Sequence, residues 1–180
     1  MNDSYTQISS ADDVDTMIDS MAKQLLKDYP ASPLFIVLLK GGAPFATKLM
    51  FALTRLSPEY HPELDYMLVS TYGQNRTAST PVIVADVAPS TVVDGRDIVI
   101  LDDVIDQGIT SDFVRKTLLS RDAESVRLAV LANKAVEGRT ASADYIGIEA
   151  GDKWLIGMGL DDAKHGHEHY RWTDSISQVS

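Results

Sequence analysis

The sequence predicts an α/β fold, a mostly parallel sheet flanked by helices. Three observations carry that expectation. The run Leu34–Leu39 is apolar throughout, and Val126–Ala132 is apolar but for Arg127, as strands covered on both faces are. Amphipathic helical patterns alternate with such runs along the chain. A third strand, Asp97–Leu101, apolar from Ile98 onward, leads directly into Asp102, Asp103, Asp106, Gly108 and Thr110. Ligands of parallel sheets bind beyond the carboxyl ends of the strands, and buried carboxylates are costly, so this polar cluster marks the edge where chemistry is expected.

Taken in order, Ser10 and Asp13 have the spacing of a capping box, and Val14, Met17, Ile18, Met21 and Leu25 follow at helical spacing toward Pro30. Leu34–Leu39 is a buried strand, followed by Lys40, Gly41 and Gly42 and by a second helix with Pro44 in its first turn. Leu64–Ser70 is a further strand. Thr71 to Pro81 is polar and without periodicity, which predicts a mobile surface loop. Asp97–Leu101 is the next strand, Ser111–Ser120 a helix with Phe113, Val114 and Leu118 inward, and Val126–Ala132 another strand. No repeat or linker divides the chain, so residues 1–180 are expected to form one domain.

Composition narrows the setting. The 180 residues contain no cysteine, which excludes disulfides and thiolate metal sites and fits a reducing cytoplasm. Met1 is followed by polar residues, and no run approaches the roughly 18 apolar residues of a membrane span. A formal net charge of −10 repels polyanions, so neither nucleic acid nor membrane is an expected partner. An anionic substrate must then be held by local donors or a metal ion.

The turn Asp106–Thr110 has the makings of a monophosphate cradle. Successive amides of Gln107, Gly108, Ile109 and Thr110 can converge on one anion, with Gly108 allowing close approach and Thr110 adding a hydroxyl. Asp102 and Asp103 would lie beside the sugar carrying that phosphate, accepting from vicinal hydroxyls or supporting Mg²⁺. The same residues also suit a plain strand-to-helix turn with acidic caps.

Val99–Thr110, two or more apolar residues, an acidic pair, two apolar residues, then Asp106, Gln107, Gly108 and Thr110, resembles the phosphoribosyl pyrophosphate motif of type I phosphoribosyltransferases. Leu38–Gly42 resembles the pyrophosphate loop of the hypoxanthine-guanine branch, and Ala143–Glu149 with Asp152–Asp161 resembles its purine-binding hood. The three stretches keep their order, and the similarity extends from about Leu34 to Trp172.

The resemblance implies a purine salvage enzyme that joins the ribose phosphate of phosphoribosyl pyrophosphate to hypoxanthine or guanine and releases pyrophosphate. It implies the type I phosphoribosyltransferase fold, with a small hood built from N-terminal and C-terminal segments, and assembly as a homodimer or homotetramer. Asp102 and Asp103 would hold ribose hydroxyls and Mg²⁺, Asp161 a second Mg²⁺, and Asp106 would act as general acid or base toward the purine. Lys40, Gly41 and Arg171 would hold pyrophosphate, with a cis peptide before Lys40. Lys134 would donate to the 6-oxo group, Trp154 would stack on the base, and Leu155 would contribute its backbone. Thr71 and Tyr72 would open a loop that closes over pyrophosphate.

There are departures and rivals. Asp102 stands where the family most often has glutamate, Gln107 replaces a small hydroxyl residue, and the Ala163–His169 segment before Arg171 is longer than its family counterpart. Alone, Lys134 after a strand reads as solvated, Trp154 as a core residue, and Gly41–Gly42 as a sharp turn. His165, His167 and His169 alternate, which suits a metal site or a histidine-rich loop. A xanthine-preferring relative and a nucleotide-sensing regulator on the same fold stay open. A receiver-like phosphorelay domain also places an acidic pair after a strand, but leaves Lys40–Gly42 and Asp152–Trp154 unexplained.

Overall fold

The computed structural model of the chain describes residues 5–72, 78–162 and 166–179. In chain order the elements are β1 (Tyr5–Ser9), α1 (Ala11–Asp28), β2 (Leu34–Leu39), α2 (Gly42–Leu56), β3 (Glu63–Tyr72) and β4 (Ala78–Ala85). There follow β5 (Asp97–Ile105), α3 (Ile109–Leu119), β6 (Ser125–Lys134), β7 (Tyr145–Ala150), β8 (Leu155–Ile156), a 3-10 turn (Glu168–Trp172) and β9 (Ile176–Val179). None of the described helices is long and apolar enough to cross a membrane.

Six strands form the main sheet in the order β4-β3-β2-β5-β6-β7, parallel throughout except for the antiparallel edge strand β4. Alternate residues of the apolar strands supply two cores. Phe35, Val37, Val99 and Leu101 pack with Val14, Ile18, Phe45 and Leu49 of α1 and α2. Leu34, Ile36, Ile98 and Ile100 pack with Val114 and Leu118 of α3 on the other face. Both sides of each strand are therefore dry, which is why its sequence is an unbroken apolar run. Truncating the fully buried Phe45 to alanine would cost about 3–5 kcal/mol.

The expected capping box is present. Ser10 Oγ accepts from the Asp13 amide at 3.2 Å, and Asp13 accepts from the Ser10 amide at 2.9 Å. Met17 and Phe113 are partly buried and pack against these two cores, in line with their expected inward positions.

Three differences from the boundaries read in the sequence bear on the site. The central strand continues past Leu101 to Ile105, so Asp102 and Asp103 lie inside it, because β6 runs alongside and pairs as far as Ile105 with Asn133. That strand also continues to Lys134, which closes it instead of following it. The expected loop from Thr71 to Pro81 is partly strand: Tyr72 pairs with Ala78 across a β3–β4 hairpin. Its remainder, residues 73–77, lies outside the described residues.

A second, three-stranded sheet has the order β1-β9-β8 and draws strands from both ends of the chain. It carries the segment from Trp154 to Arg171 toward the carboxyl edge of the main sheet.

Candidate active site

Two adjoining cavities lie at that edge, and they share Val104 and Asp106. The larger, about 310 Å³, is lined by Thr71, Asp102 and the turn from Val104 through Ser111. Gly108 has φ of 76°, a left-handed conformation that favours glycine, and immediately precedes α3. A Cβ at Gly108 would stand 2.8 Å from the Ala141 amide nitrogen, and the Thr140 amide donates to the Gln107 carbonyl at 2.9 Å. The turn is thus buttressed from behind by the segment after β6. Its amides open a helix, where an anion is electrostatically favoured.

Asp102 and Asp103 are half-buried neighbours on β5. The Asp103 amide donates to Asp102 Oδ1 at 3.0 Å, and the Val104 amide to Asp103 Oδ1 at 2.9 Å. Burial, reinforced by the Asp103 charge, holds the Asp102 carboxyl well above the ordinary carboxylate range. Burial also raises Asp103, against the opposing effect of its hydrogen bonds and of the Arg171 charge. Two such carboxyls side by side make a place where a cation or hydroxyl donors are strongly favoured.

The Asp103 side chain lies against Gly41, where an added Cβ would fall 2.1 Å from Oδ2. The Leu39–Lys40 peptide is cis, as the resemblance implied. From the far side Gly159, at φ of 104°, presses on the same loop: its Cβ would fall 1.9 Å from the Gly41 carbonyl oxygen. The Lys40–Gly41 turn is therefore clamped between β5 and the segment after β8.

The smaller cavity, about 170 Å³, is bounded by Asp103, Asp106, Lys134, Trp154, Leu155 and Asp161, among others. Lys134 is buried and reaches Asp106 Oδ2 at 3.4 Å, with its ammonium 5.5 Å from the centre of the Trp154 ring. The indole of Trp154 is fixed by donating to the Asp161 carbonyl at 2.9 Å, so its ring forms an exposed wall and is no core residue. A flat aromatic molecule between that wall and Val104 would meet Lys134 at one edge and Asp106 at another.

Arg171 is buried, bonded to the Gly159 carbonyl and to the Asp161 carboxylate. It lines neither of the two cavities. Lys40 lies outside both cavities, exposed, with its ammonium 3.8 Å from Glu168. Thr71 reaches the larger cavity. Lys153 is exposed. His167 stands 3.7 Å from the buried Asp162 and 3.3 Å from the Tyr5 hydroxyl, and His169 packs on Tyr170. His165 lies outside the described residues, among which no cluster of three or more acidic, histidine or cysteine side chains is placed to hold a metal ion.

Two residues at the site were not singled out in the sequence. Gly159 is signalled only by the repeated glycines Gly157 and Gly159, and Glu168 only by standing one helical turn before Arg171.

A cradle for a phosphate, a neighbouring acidic pair and a separate aromatic-walled cavity define a class of protein that handles nucleotides. The chain belongs to the phosphoribosyl transferase domain family, whose pattern it matches over residues 4–163. It is 36% identical over 166 residues to a hypoxanthine-guanine phosphoribosyltransferase of Streptococcus thermophilus, covering 89% of this chain and 88% of the relative. A hypoxanthine-guanine phosphoribosyltransferase of Streptococcus pyogenes serotype M3 is also 36% identical, covering 90% and 86%. Among solved structures, a hypoxanthine phosphoribosyltransferase of Staphylococcus aureus superposes with a TM-score of 0.83 at 26% identity, covering 97% of this chain and 91% of that one.

Proposed function

We propose that this chain is a purine salvage phosphoribosyltransferase that transfers the phosphoribosyl group of phosphoribosyl pyrophosphate to hypoxanthine or guanine, releasing pyrophosphate. The observation that carries the reading is the position of Asp106, shared between the 310 Å³ cavity and the 170 Å³ cavity that holds Lys134. A proton-transfer group belongs where a base and a sugar phosphate meet.

In this reading the 5′-phosphate sits on the amides of Gln107 to Thr110, and Asp102 and Asp103 accept from the ribose hydroxyls. Lys134 donates to the purine 6-oxo oxygen, Trp154 stacks on the ring, and the Leu155 backbone meets its edge. An ammonium has donors and no acceptor, so the site favours a 6-oxopurine over adenine. Asp106 exchanges a proton with the imidazole ring of the base. Lys40, the Gly41 backbone and Arg171 hold the leaving pyrophosphate.

The residues fit Mg²⁺. Asp102 and Asp103 are adjacent carboxylates whose ionised forms are disfavoured by burial and, for Asp102, by its neighbour's charge, a condition that a cation relieves. Such a pair suits an ion bound by one or two carboxylates and completed by substrate oxygens and water. Asp161 would serve a second ion, although its carboxylate also pairs with Arg171. When bound, Mg²⁺ offsets the negative charge that develops on the leaving group.

The three-stranded sheet serves as the hood of a single domain spanning residues 1–180, and Thr71 and Tyr72 open the segment that covers pyrophosphate. A cytoplasmic location is supported by the absence of cysteine from the sequence. Assembly as a homodimer or homotetramer belongs to the same reading. The deciding experiment is a spectrophotometric screen of hypoxanthine, guanine, xanthine and adenine with phosphoribosyl pyrophosphate and Mg²⁺. Turnover of hypoxanthine or guanine with little of adenine is expected. Adenine as the best substrate would remove the role of Lys134. Binding of nucleotide without turnover of any base would favour a sensor.

A further inference from the structure

Glu168 takes no part in the transfer just described, yet its carboxylate stands on the two cations assigned to pyrophosphate. Its Oε1 lies 3.8 Å from Lys40 Nζ, and its Oε2 lies 3.5 Å from Arg171 Nε. That Nε is buried and has no hydrogen-bond partner among the described residues, so an anion facing it answers an unmet donor.

The members of this cluster are held very differently. The Arg171 side chain is only 10% exposed, and its two terminal nitrogens are anchored on Gly159 and Asp161. The side chains of Lys40 and Glu168 are 71% and 63% exposed, and their link is a long surface ion pair of the kind that contributes little. Glu168 can therefore swing into water at small cost while Arg171 stays. Its place on the 3-10 turn, three residues before Arg171, returns it to the same cation whenever no stronger anion is present.

We propose that Glu168 is an affinity-determining residue, an internal anion that competes with pyrophosphate, free or as part of phosphoribosyl pyrophosphate, for Lys40 and Arg171. The inference rests on the assignment of those two cations to pyrophosphate made above. Competition of this kind weakens the binding of substrate and product alike and leaves the purine cavity untouched. Its kinetic mark is a change in the constants for pyrophosphate-bearing ligands with none in those for the base.

The test compares Glu168→Gln and Glu168→Asp with the full-length wild type. Binding of pyrophosphate with Mg²⁺ is measured by isothermal titration calorimetry, and KM for phosphoribosyl pyrophosphate and for hypoxanthine by initial rates. Glu168→Gln keeps the shape and removes the charge, and it is expected to bind pyrophosphate about three- to tenfold more tightly and to lower KM for phosphoribosyl pyrophosphate by a similar factor. KM for hypoxanthine should stay within about twofold. Glu168→Asp, which keeps the charge, should remain nearer wild type, and the gain of the glutamine variant should narrow in about 0.5 M salt. If the wild type turns over hypoxanthine and the glutamine variant binds pyrophosphate no more tightly, the inference falls alone. If the wild type neither turns over a base nor binds pyrophosphate, the proposed function falls and takes the inference with it.

Discussion

Gly41 and Gly159, far apart in sequence, meet backbone to backbone at the carboxyl edge of the sheet, where a Cβ on Gly159 would lie 1.9 Å from the Gly41 carbonyl oxygen. No side chain fits between them. The contact joins the turn after β2 to the segment that carries Asp161 and Arg171, and so ties that segment to the carboxyl edge of the main sheet.

Gly159→Ala must therefore push that turn away or leave its own φ of 104°, a conformation strained for any other residue. Strain of this kind costs about 1–3 kcal/mol, which for a chain of this size lowers the melting temperature by roughly 2–12 °C. KM for phosphoribosyl pyrophosphate should rise with it. Gly151→Ala, where a Cβ meets nothing within 4 Å, is the control and should change neither quantity. Equal melting temperatures and equal KM for the two variants would show that the contact is dispensable.

Asp102 sets function against stability. Burial and the neighbouring Asp103 disfavour its charged form, so near neutral pH its ionisation counts against the folded state. Asp102→Asn removes that charge and keeps the shape. In EDTA, without substrate, the variant is expected to melt above the wild type, while binding of phosphoribosyl pyrophosphate with Mg²⁺ weakens. A lower melting temperature would mean that the carboxylate is better compensated than its surroundings suggest.

The Asp86–Arg121 pair sets a pH dependence away from the site. Arg121 donates to both Asp86 oxygens, at 2.9 and 2.6 Å, and this pairing lowers the Asp86 pKa. A carboxyl depressed in the folded state adds stability that is fully present above its unfolded pKa, about 3.9, and is lost as pH falls through the folded value. The pair is partly exposed, so the gain is small, about 0.2–1 kcal/mol. Urea unfolding of Asp86→Asn and wild type should differ by that amount at pH 6, and the difference should shrink progressively as pH falls below about 3.9. A difference that stays constant as pH falls below that value would assign the effect to something other than charge.

How much of this was legible depends on whether local pattern and tertiary role agree. They agree in Leu34–Leu39, whose apolar run reports two covered faces, and at Ser10 with Asp13, where the cap is a local event. The acidic turn could be read for the same reason, since Gly108 and the residues around it are consecutive. Strand ends could not. Asp102 and Asp103 read as the start of a turn because carboxylates are costly to bury, and only the neighbouring β6 ladder keeps them in the strand. Glu168 was missed because its partner Lys40 comes from a turn that only the folded chain brings near.

The pairing of Lys134 with Asp106 yields the sharpest test of the proposed chemistry. The two residues are 28 apart in sequence, and their charged groups stand 3.4 Å apart at the boundary of the cavities. If Asp106 exchanges a proton with the base, Asp106→Asn should lower kcat by about 10²-fold or more while phosphoribosyl pyrophosphate still binds. If Lys134 reads the 6-oxo group through a charge-assisted hydrogen bond, Lys134→Gln should lower kcat/KM for hypoxanthine by roughly 10- to 150-fold. Glutamine can accept as well as donate, so the rate with adenine should fall less and discrimination between the two bases should shrink. Because the residues touch, the double variant should lose less than the product of the two single losses. Independent losses that multiply would mean that the two act separately, and an Asp106→Asn enzyme with unchanged kcat would reduce Asp106 to a partner that holds Lys134 in place.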